Sequence, residues 1–347
     1  MTKFPGITPS GVDLPSTGRL VGTDLAGPTD YLYTAAQIQG GLVAAAVARQ
    51  RLTAGVSVYI DPTNGNDTTG TGTIGAPFKT FAVAFPYAVD RYDLVNFTVT
   101  FQFVGTAFTE QILANEVVSV GGGNFVLDFS GGTLHTSGPC IRWKGERSGI
   151  VTVQNVDLAS TGNSAIIVQD STFLSVGDGV RFGTCGLYHV QAIDYGLPLL
   201  FTNYEIYGGA NAHIVAQERA TFQFYFPPVV TLTGTPAFTT AFAWALRGGF
   251  IYAGGTTFNG SATGPRFITD RSTIDTGNAG LSYFPGSSAG SGNGGGTYDF
   301  TIFEDDILSI NGGPYLQNAV NDAAAQAAGV PVGAVYRNGS VLQMRVV

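Results

Sequence analysis

The sequence predicts an all-β chain wound as a parallel β-helix, a solenoid of short strands. Three observations point there. The composition is rich in glycine and aromatic residues but poor in charge, short apolar segments alternate with Gly, Asn and Asp over a long stretch, and a loose repeat recurs with a period in the low to mid twenties. Of 347 residues, 49 are glycine and 12% are charged, while 24 Phe and 15 Tyr outnumber the 16 Lys and Arg. With 44% hydrophobic residues there is ample material for a core. The surface must then rest on Thr, Ser, Asn and Gly, a profile common in β-rich solenoids and unusual in helical enzymes.

The strand series runs from residue 97 to about 274, with segments at 97–104, 125–129, 150–153, 173–176, 188–193 and 250–253. Four stretches align as a repeat: 125–134, 150–158, 173–182 and 250–258. Each has an apolar start, a small or polar middle and an apolar end, and the starts lie 25, 23 and 77 residues apart, the last near three periods. One such coil cannot bury its inner face, whereas stacked coils align those faces into a continuous column. An immunoglobulin-like sandwich is the rival, since it also uses short strands at regular spacing. The absence of hairpin turns inside the region favours the solenoid.

Around this body the other elements fall in order. Residues 1–55 are turn-rich and end in an Ala- and Gln-rich stretch, 34–51, that reads as a short helix weakened by Gly40 and Gly41. They form no core of their own and are expected to pack on partner chains. The solenoid region, 56–280, opens with a strand at 56–60 and a turn cluster of Asp61, Asn64, Gly65, Asn66 and Asp67. Over 76–89, Phe78, Phe81, Ala82, Phe85 and Ala88 recur at helical spacing, which predicts a helix capping the open end of the stack. The third region, 281–347, holds a glycine-rich loop (PGSSAGSGNGGG, 285–296), further strand material at 298–310, an Ala-rich helix at 315–328 and a hairpin centred on Asn338 and Gly339. Its small residues suit close packing between chains.

Several functions are disfavoured at once. A net charge of −8 without any run of Lys or Arg argues against nucleic acid as a partner. Residues 1–10 lack the basic head and apolar stretch of a secretion signal, and the smoothest apolar segment, 42–48, is far too short for a membrane helix. Cys140 and Cys185 read as buried free thiols, consistent with assembly in a reducing cytoplasm. No nucleophile elbow, P-loop or dinucleotide fingerprint is present, and no cofactor is expected.

Four stretches resemble phage tail fibre and tailspike proteins. Residues 7–38 (ITPSGVDLPSTGRLVGTDLAGPTDYLYTAAQI) resemble the leader by which such fibres attach to the particle, with Leu20, Gly22, Asp24, Tyr31, Tyr33 and Ile38 as attachment candidates. Residues 58–81 (VYIDPTNGNDTTGTGTIGAPFKTF) resemble the start of a pectate-lyase-like, right-handed parallel β-helix and its capping helix. Residues 258–284, continued by PGSSAGSGNGGGTY, and 327–337 (AAGVPVGAVYR) are similar to segments of phage tail proteins and fibre carboxyl termini. The resemblance implies a homotrimer made in the host cytoplasm, bound to other tail or baseplate proteins of the virion, and in contact with host surface polysaccharide. A depolymerase tailspike and a head, neck or baseplate fibre are the alternatives it leaves open.

Cleavage of a polysaccharide needs paired carboxylates. The richest acidic neighbourhood is Asp194, Glu205 and Glu218, set among Tyr188, Tyr195, Tyr204, Tyr207 and Tyr225, whose rings suit sugar faces. The simpler reading is that acids occupy turns and tyrosines populate strands, so the expectation is a glycan held without cleavage. Asp61, Asn64, Asn66 and Asp67 offer oxygens but lack the spacing and distal Glu of an EF-hand, and a turn satisfied by Asx bonds explains them better. His135, His189 and His213 are dispersed, yet the last two lie one coil length apart and can stack. No metal site is expected.

Overall fold

The computed structural model describes residues 20–23, 30–33, 49–114, 122–145, 149–200, 202–224, 227–299, 301–303, 318–328, 330, 332, 335–338 and 341–346. Of the sequence expectations, Asp24, Ile38 and Tyr225, with residues 34–48 and 304–317, lie outside these.

The chain winds as a right-handed type of parallel β-solenoid with about seven turns, each presenting three faces. The first face stacks Val56–Ile60, Thr98–Phe103, the opening halves of Asn124–Thr136 and Ile150–Ser160, then Phe173–Val176, Leu197–Leu200, Thr221–Gln223, Phe250–Tyr252, Thr273–Asp275 and Gly296–Tyr298. The second stacks Ala107–Phe108, the closing halves of the same two long strands, Arg181–Cys185, Tyr204–Ile206, Val229–Leu232 and Thr257–Asn259. The third stacks Ile112–Ala114, Ile141–Lys144, Ile166–Gln169, Tyr188–Ala192, Ala210–Gln217, Phe238–Leu246, Phe267–Asp270 and Ser291–Asn293. Every strand pair within these faces is parallel, which excludes the sandwich. The four repeat units read from the sequence all start on the first face, where Ile150 pairs with Phe173 and Phe125 with Val151.

Alternation along each strand sends one side chain in two to a shared interior. On the first face Phe101, Leu127, Val153 and Val176 align in successive coils, and on the second Leu134, Leu158, Phe182 and Ile206 do so. All eight are fully buried. Between the third and first faces the chain turns through pairs of left-handed residues: Asp170–Ser171, Asp194–Tyr195, Glu218–Arg219 and Arg247–Gly248, with φ between 50° and 80°. Seven of these eight residues are not glycine, so the corner is held by the stack rather than by local preference.

Helix α1, Phe81–Arg91, closes the amino-terminal end. It buries Phe81, Ala84, Phe85 and Ala88, and its Phe81 and Phe85 rings meet Phe101 at 5.2 and 6.0 Å, while Phe85 meets Trp143 edge-on at 5.3 Å. The helix starts later than the predicted 76–89 because the preceding residues are tied into the turn cluster. Asp61 Oδ1 accepts from the Thr63 and Asn64 amides, Asn66 Oδ1 from Thr68 and Thr69, and Asp67 Oδ1 from Lys79 and Thr80. The bonds of Asp61 and Asn66 are the local Asx bonds that the turn reading requires, and those of Asp67 tie the turn to the start of the helix. The first two helical amides, of Phe81 and Ala82, donate to Glu110 at 2.9 and 3.0 Å. A carboxylate that satisfies two orphan donors at a helix start contributes about 1–2 kcal/mol. Glu110→Ala is therefore expected to lower the denaturation midpoint by that much, whereas Glu110→Gln should lose only part of it.

The glycine-rich stretch is not a free loop. Ser291–Asn293 pairs with Phe267–Asp270 and Gly296–Tyr298 with Thr273–Asp275, so the parallel stack continues beyond residue 280. Glycine permits this: a Cβ on Gly290 would lie 2.2 Å from the Phe267 ring. Thr301–Phe303 then runs back antiparallel to Gly296–Tyr298 and ends the ladder. Helix α2, Asp322–Ala327, and the antiparallel strands Val335–Asn338 and Val341–Met344 form a separate small unit around Ala319, Ala325, Val330 and Tyr336. Near the amino terminus Leu20–Thr23 pairs antiparallel with Asp30–Tyr33, which sets Leu20 opposite Tyr33 and Gly22 opposite Tyr31. Cys140 and Cys185 are buried free thiols, and burial pushes their pKa values to about 11 and about 12. No helix among the described residues is long and apolar enough to cross a membrane.

Candidate functional site

The outside of the second face carries a column of ionisable side chains, one coil above another. Asp157 pairs in register with Arg181, and Arg181 with Glu205. Arg181 bridges both carboxylates, reaching Glu205 Oε2 from Nε at 2.7 Å and Asp157 Oδ2 from Nη1 at 3.2 Å. Asp157 is the hub: its Oδ1 also contacts His135 Nε2 at 3.3 Å and accepts from the Tyr207 hydroxyl at 2.5 Å. Tyr207 belongs two coils further on and reaches back across Gly183, where a Cβ would stand 2.5 Å from its hydroxyl oxygen. Its ring carries the Arg181 guanidinium at 4.7 Å. The hydrogen bonds from Arg181 and then Thr233 hold the Glu205 carboxyl below its ordinary range, while burial and then the Asp157 bond push the Tyr207 phenol up.

The third face holds a second feature. Ile214 and Ala216 join the main core, so Val215 between them lies on the opposite side, in a small cluster with Ala212 and Leu246. Two half-buried rings, Tyr188 and Trp244, cover this floor and meet edge-on at 6.1 Å. The adjoining corner is lined with charge: Glu218 Oε1 lies 2.6 Å from Arg247 Nε, and Arg219 donates to the Tyr195 hydroxyl at 2.8 Å.

The structure separates the acids that the sequence grouped. Asp194 and Glu218 stand on the same corner in successive coils, but Asp194 accepts from Gln169 in the coil before and Glu218 pairs with Arg247 in the coil after. Glu205 lies on another face. The carboxylates that do share a partner, Asp157 and Glu205, belong to strands two coils apart and lean toward each other through Arg181. Arg181 lies between them, its charge engaged by both.

Of the tyrosines, Tyr188, Tyr195 and Tyr207 lie outward, Tyr195 being 54% exposed. Tyr204 does not. It is buried and bonds to His213 at 2.8 Å inside the core, because alternation along Tyr204–Ile206 turns Tyr204 and Ile206 inward and Glu205 outward. Asp157, Arg181 and Trp244 were absent from the sequence candidates. His189 and His213 stack as their spacing allowed, with Nδ1 atoms 3.1 Å apart. Among the described residues no group of three His, Cys, Asp or Glu side chains is placed to hold a metal ion. No protein-family model, curated protein or solved structure matches the chain.

Proposed function

We propose that the chain is the rigid body of a phage tail fibre or tailspike, that it works as a homotrimer, and that its outer faces hold a host surface glycan without cutting it. The four stretches that resemble such proteins support the address and the assembly. The stacked parallel coils support the mechanical role, since a continuous interior resists bending. Binding without cleavage rests chiefly on one observation: Tyr188 and Trp244 lie over an apolar floor beside a corner of polar and charged groups. Aromatic rings offer apolar faces to sugar C–H groups, and neighbouring charges and amides meet the hydroxyls.

The acids support the same reading. A glycosidase needs one carboxyl that stays protonated at working pH, kept so by burial or a like charge. Glu205 has the opposite environment, held ionised by Arg181, and Glu218 is engaged by Arg247. The test is binding of the full chain to immobilised polysaccharide from host cells, with reducing ends assayed in the supernatant. Trp244→Ala should weaken binding about tenfold, equivalent to ~1.4 kcal/mol, with no reducing ends released by either protein. Undiminished binding by the variant would remove the third-face platform, and released reducing ends would reinstate a depolymerase.

A further inference from the structure

Inside the solenoid, where the second face gives way to the third, one interior position recurs through four coils as Ala165, His189, His213 and Phe242. The register of the residues that follow them, Ile166, Val190, Ile214 and Ala243, puts the four in line. The two histidines are 0% exposed. Phe182 stacks on His189 at 5.4 Å, Phe238 meets it edge-on at 5.7 Å, and Phe242 lies 5.0 Å from His213.

The polar atoms of this cluster form a short chain. Tyr204 Oη lies 2.8 Å from His213 Nε2, and His213 Nδ1 lies 3.1 Å from His189 Nδ1. His189 Nε2 ends the chain, buried and without a hydrogen bond of normal geometry, although the Gly183 and Gly209 carbonyls are near enough to favour a proton on the ring slightly. A contact between two Nδ1 atoms needs one donor and one acceptor, so the neutral pair shares one proton there. Where His189 donates, a further proton must go to its Nε2 or to the accepting Nδ1 of His213; where His213 donates, it must go to the accepting Nδ1 of His189 or to His213 Nε2, against Tyr204 Oη. Every one of these sites puts a cation in an aromatic interior, and an Nδ1 site also sets two donors face to face. The ionisable groups that face the pair are Tyr204 from the second face and each histidine from its neighbour on the third, so among the described residues no carboxylate stands by to balance the charge.

We propose that the His189–His213 pair is an acid-released joint: when it takes up protons, the coils containing Tyr188–Ala192 and Ala210–Gln217 come apart while the flanking coils stay stacked. Above the ordinary histidine range the joint is closed, since both rings are neutral and their shared proton completes the contact. Burial holds both histidines below their usual value, His189 at about 3, and His213 well down as well, by burial and then by the neighbouring His189. An opened coil returns each ring to its ordinary pKa near 6.5 and therefore binds more protons than the closed one. Closure is fully favoured above that pH and is lost as the pH falls toward 3. Each histidine raises the opening constant about tenfold per pH unit below 6.5, or roughly thirtyfold by pH 5.

Hydrogen exchange of the full chain, followed by mass spectrometry at pH 7 and pH 5 and corrected for intrinsic rates, tests this. Protection of Tyr188–Ala192, Tyr204–Ile206 and Ala210–Gln217 should fall at least thirtyfold between the two values, while Thr98–Phe103 and Phe267–Asp270 change little. In the His189→Gln/His213→Gln variant, which keeps hydrogen-bonding groups but cannot titrate, the local fall should vanish. Should that variant fail to fold, His213→Phe, which copies the Phe242 position, should at least halve the pH slope. Loss spread evenly over all coils, or an undiminished local fall in the variant that folds, would overturn the proposal.

Discussion

Phe129→Ala is expected to cost the fold about 3–5 kcal/mol, read as a lowered midpoint in chemical denaturation. The Phe129 ring is fully buried and stacks on Phe103 at 4.1 Å with the planes 9° apart, and Phe108 meets it edge-on at 5.5 Å. Removing the ring takes away its transfer free energy and leaves a cavity, and the second part depends on how far the neighbours can close in. In a solenoid they close in poorly. Phe103 and Phe129 belong to successive coils whose separation is fixed at ~4.8 Å by backbone hydrogen bonds, so the void persists. Leu in place of Phe should recover part of the loss. A cost below about 1 kcal/mol would mean that the interior repacks freely, contrary to a ladder-held stack.

Gly264→Ala should be more damaging, with a loss of ~4 kcal/mol or more and little soluble protein. Gly264 has φ +102°, outside the range that side chains tolerate, and a Cβ there would lie 1.8 Å from the Phe238 carbonyl oxygen. The obstacle is backbone of the preceding coil, so relief requires that two coils separate. Gly131→Ala is the control. Its φ is +85°, but a Cβ would meet nothing within 4 Å, and the cost should be that of backbone strain alone, about 1–3 kcal/mol. Comparable losses at the two sites would show that coil contact at Gly264 adds nothing to strain.

The period was legible because the first face repeats cleanly. The starts at Phe125, Ile150, Phe173 and Phe250 differ by whole coils within a residue, and the apolar character of that face survives in each. The third face was harder to read. There two successive residues turn inward, His189 with Val190 and His213 with Ile214, which breaks the alternation that marks a strand. The spacing of His189 and His213 was nevertheless visible, since stacking depends on coil length alone. Tyr204 was misplaced for a different reason: its aromatic character suggested a ligand platform, while its register with Ile206 already pointed inward. The Asp157, Arg181 and Tyr207 group was hidden because Tyr207 and Asp157 are 50 residues apart and meet only across Gly183, whose missing side chain leaves the gap. Trp244 gave no signal until the coil two places earlier brought Tyr188 beside it. The glycine-rich stretch misled by composition: glycine there serves close approach to Phe267 rather than freedom.

Because each coil offers the next an edge of parallel hydrogen bonds, the solenoid measures length in whole increments of ~4.8 Å. Adding or removing a segment equal to the separation of Arg181 and Glu205, 24 residues, shifts the tip by one increment and leaves every remaining side chain pointing as before. Adding a single residue within a strand would instead turn its faces inside out. Reach is thus set by counting, and can be altered without redesigning what fills the middle.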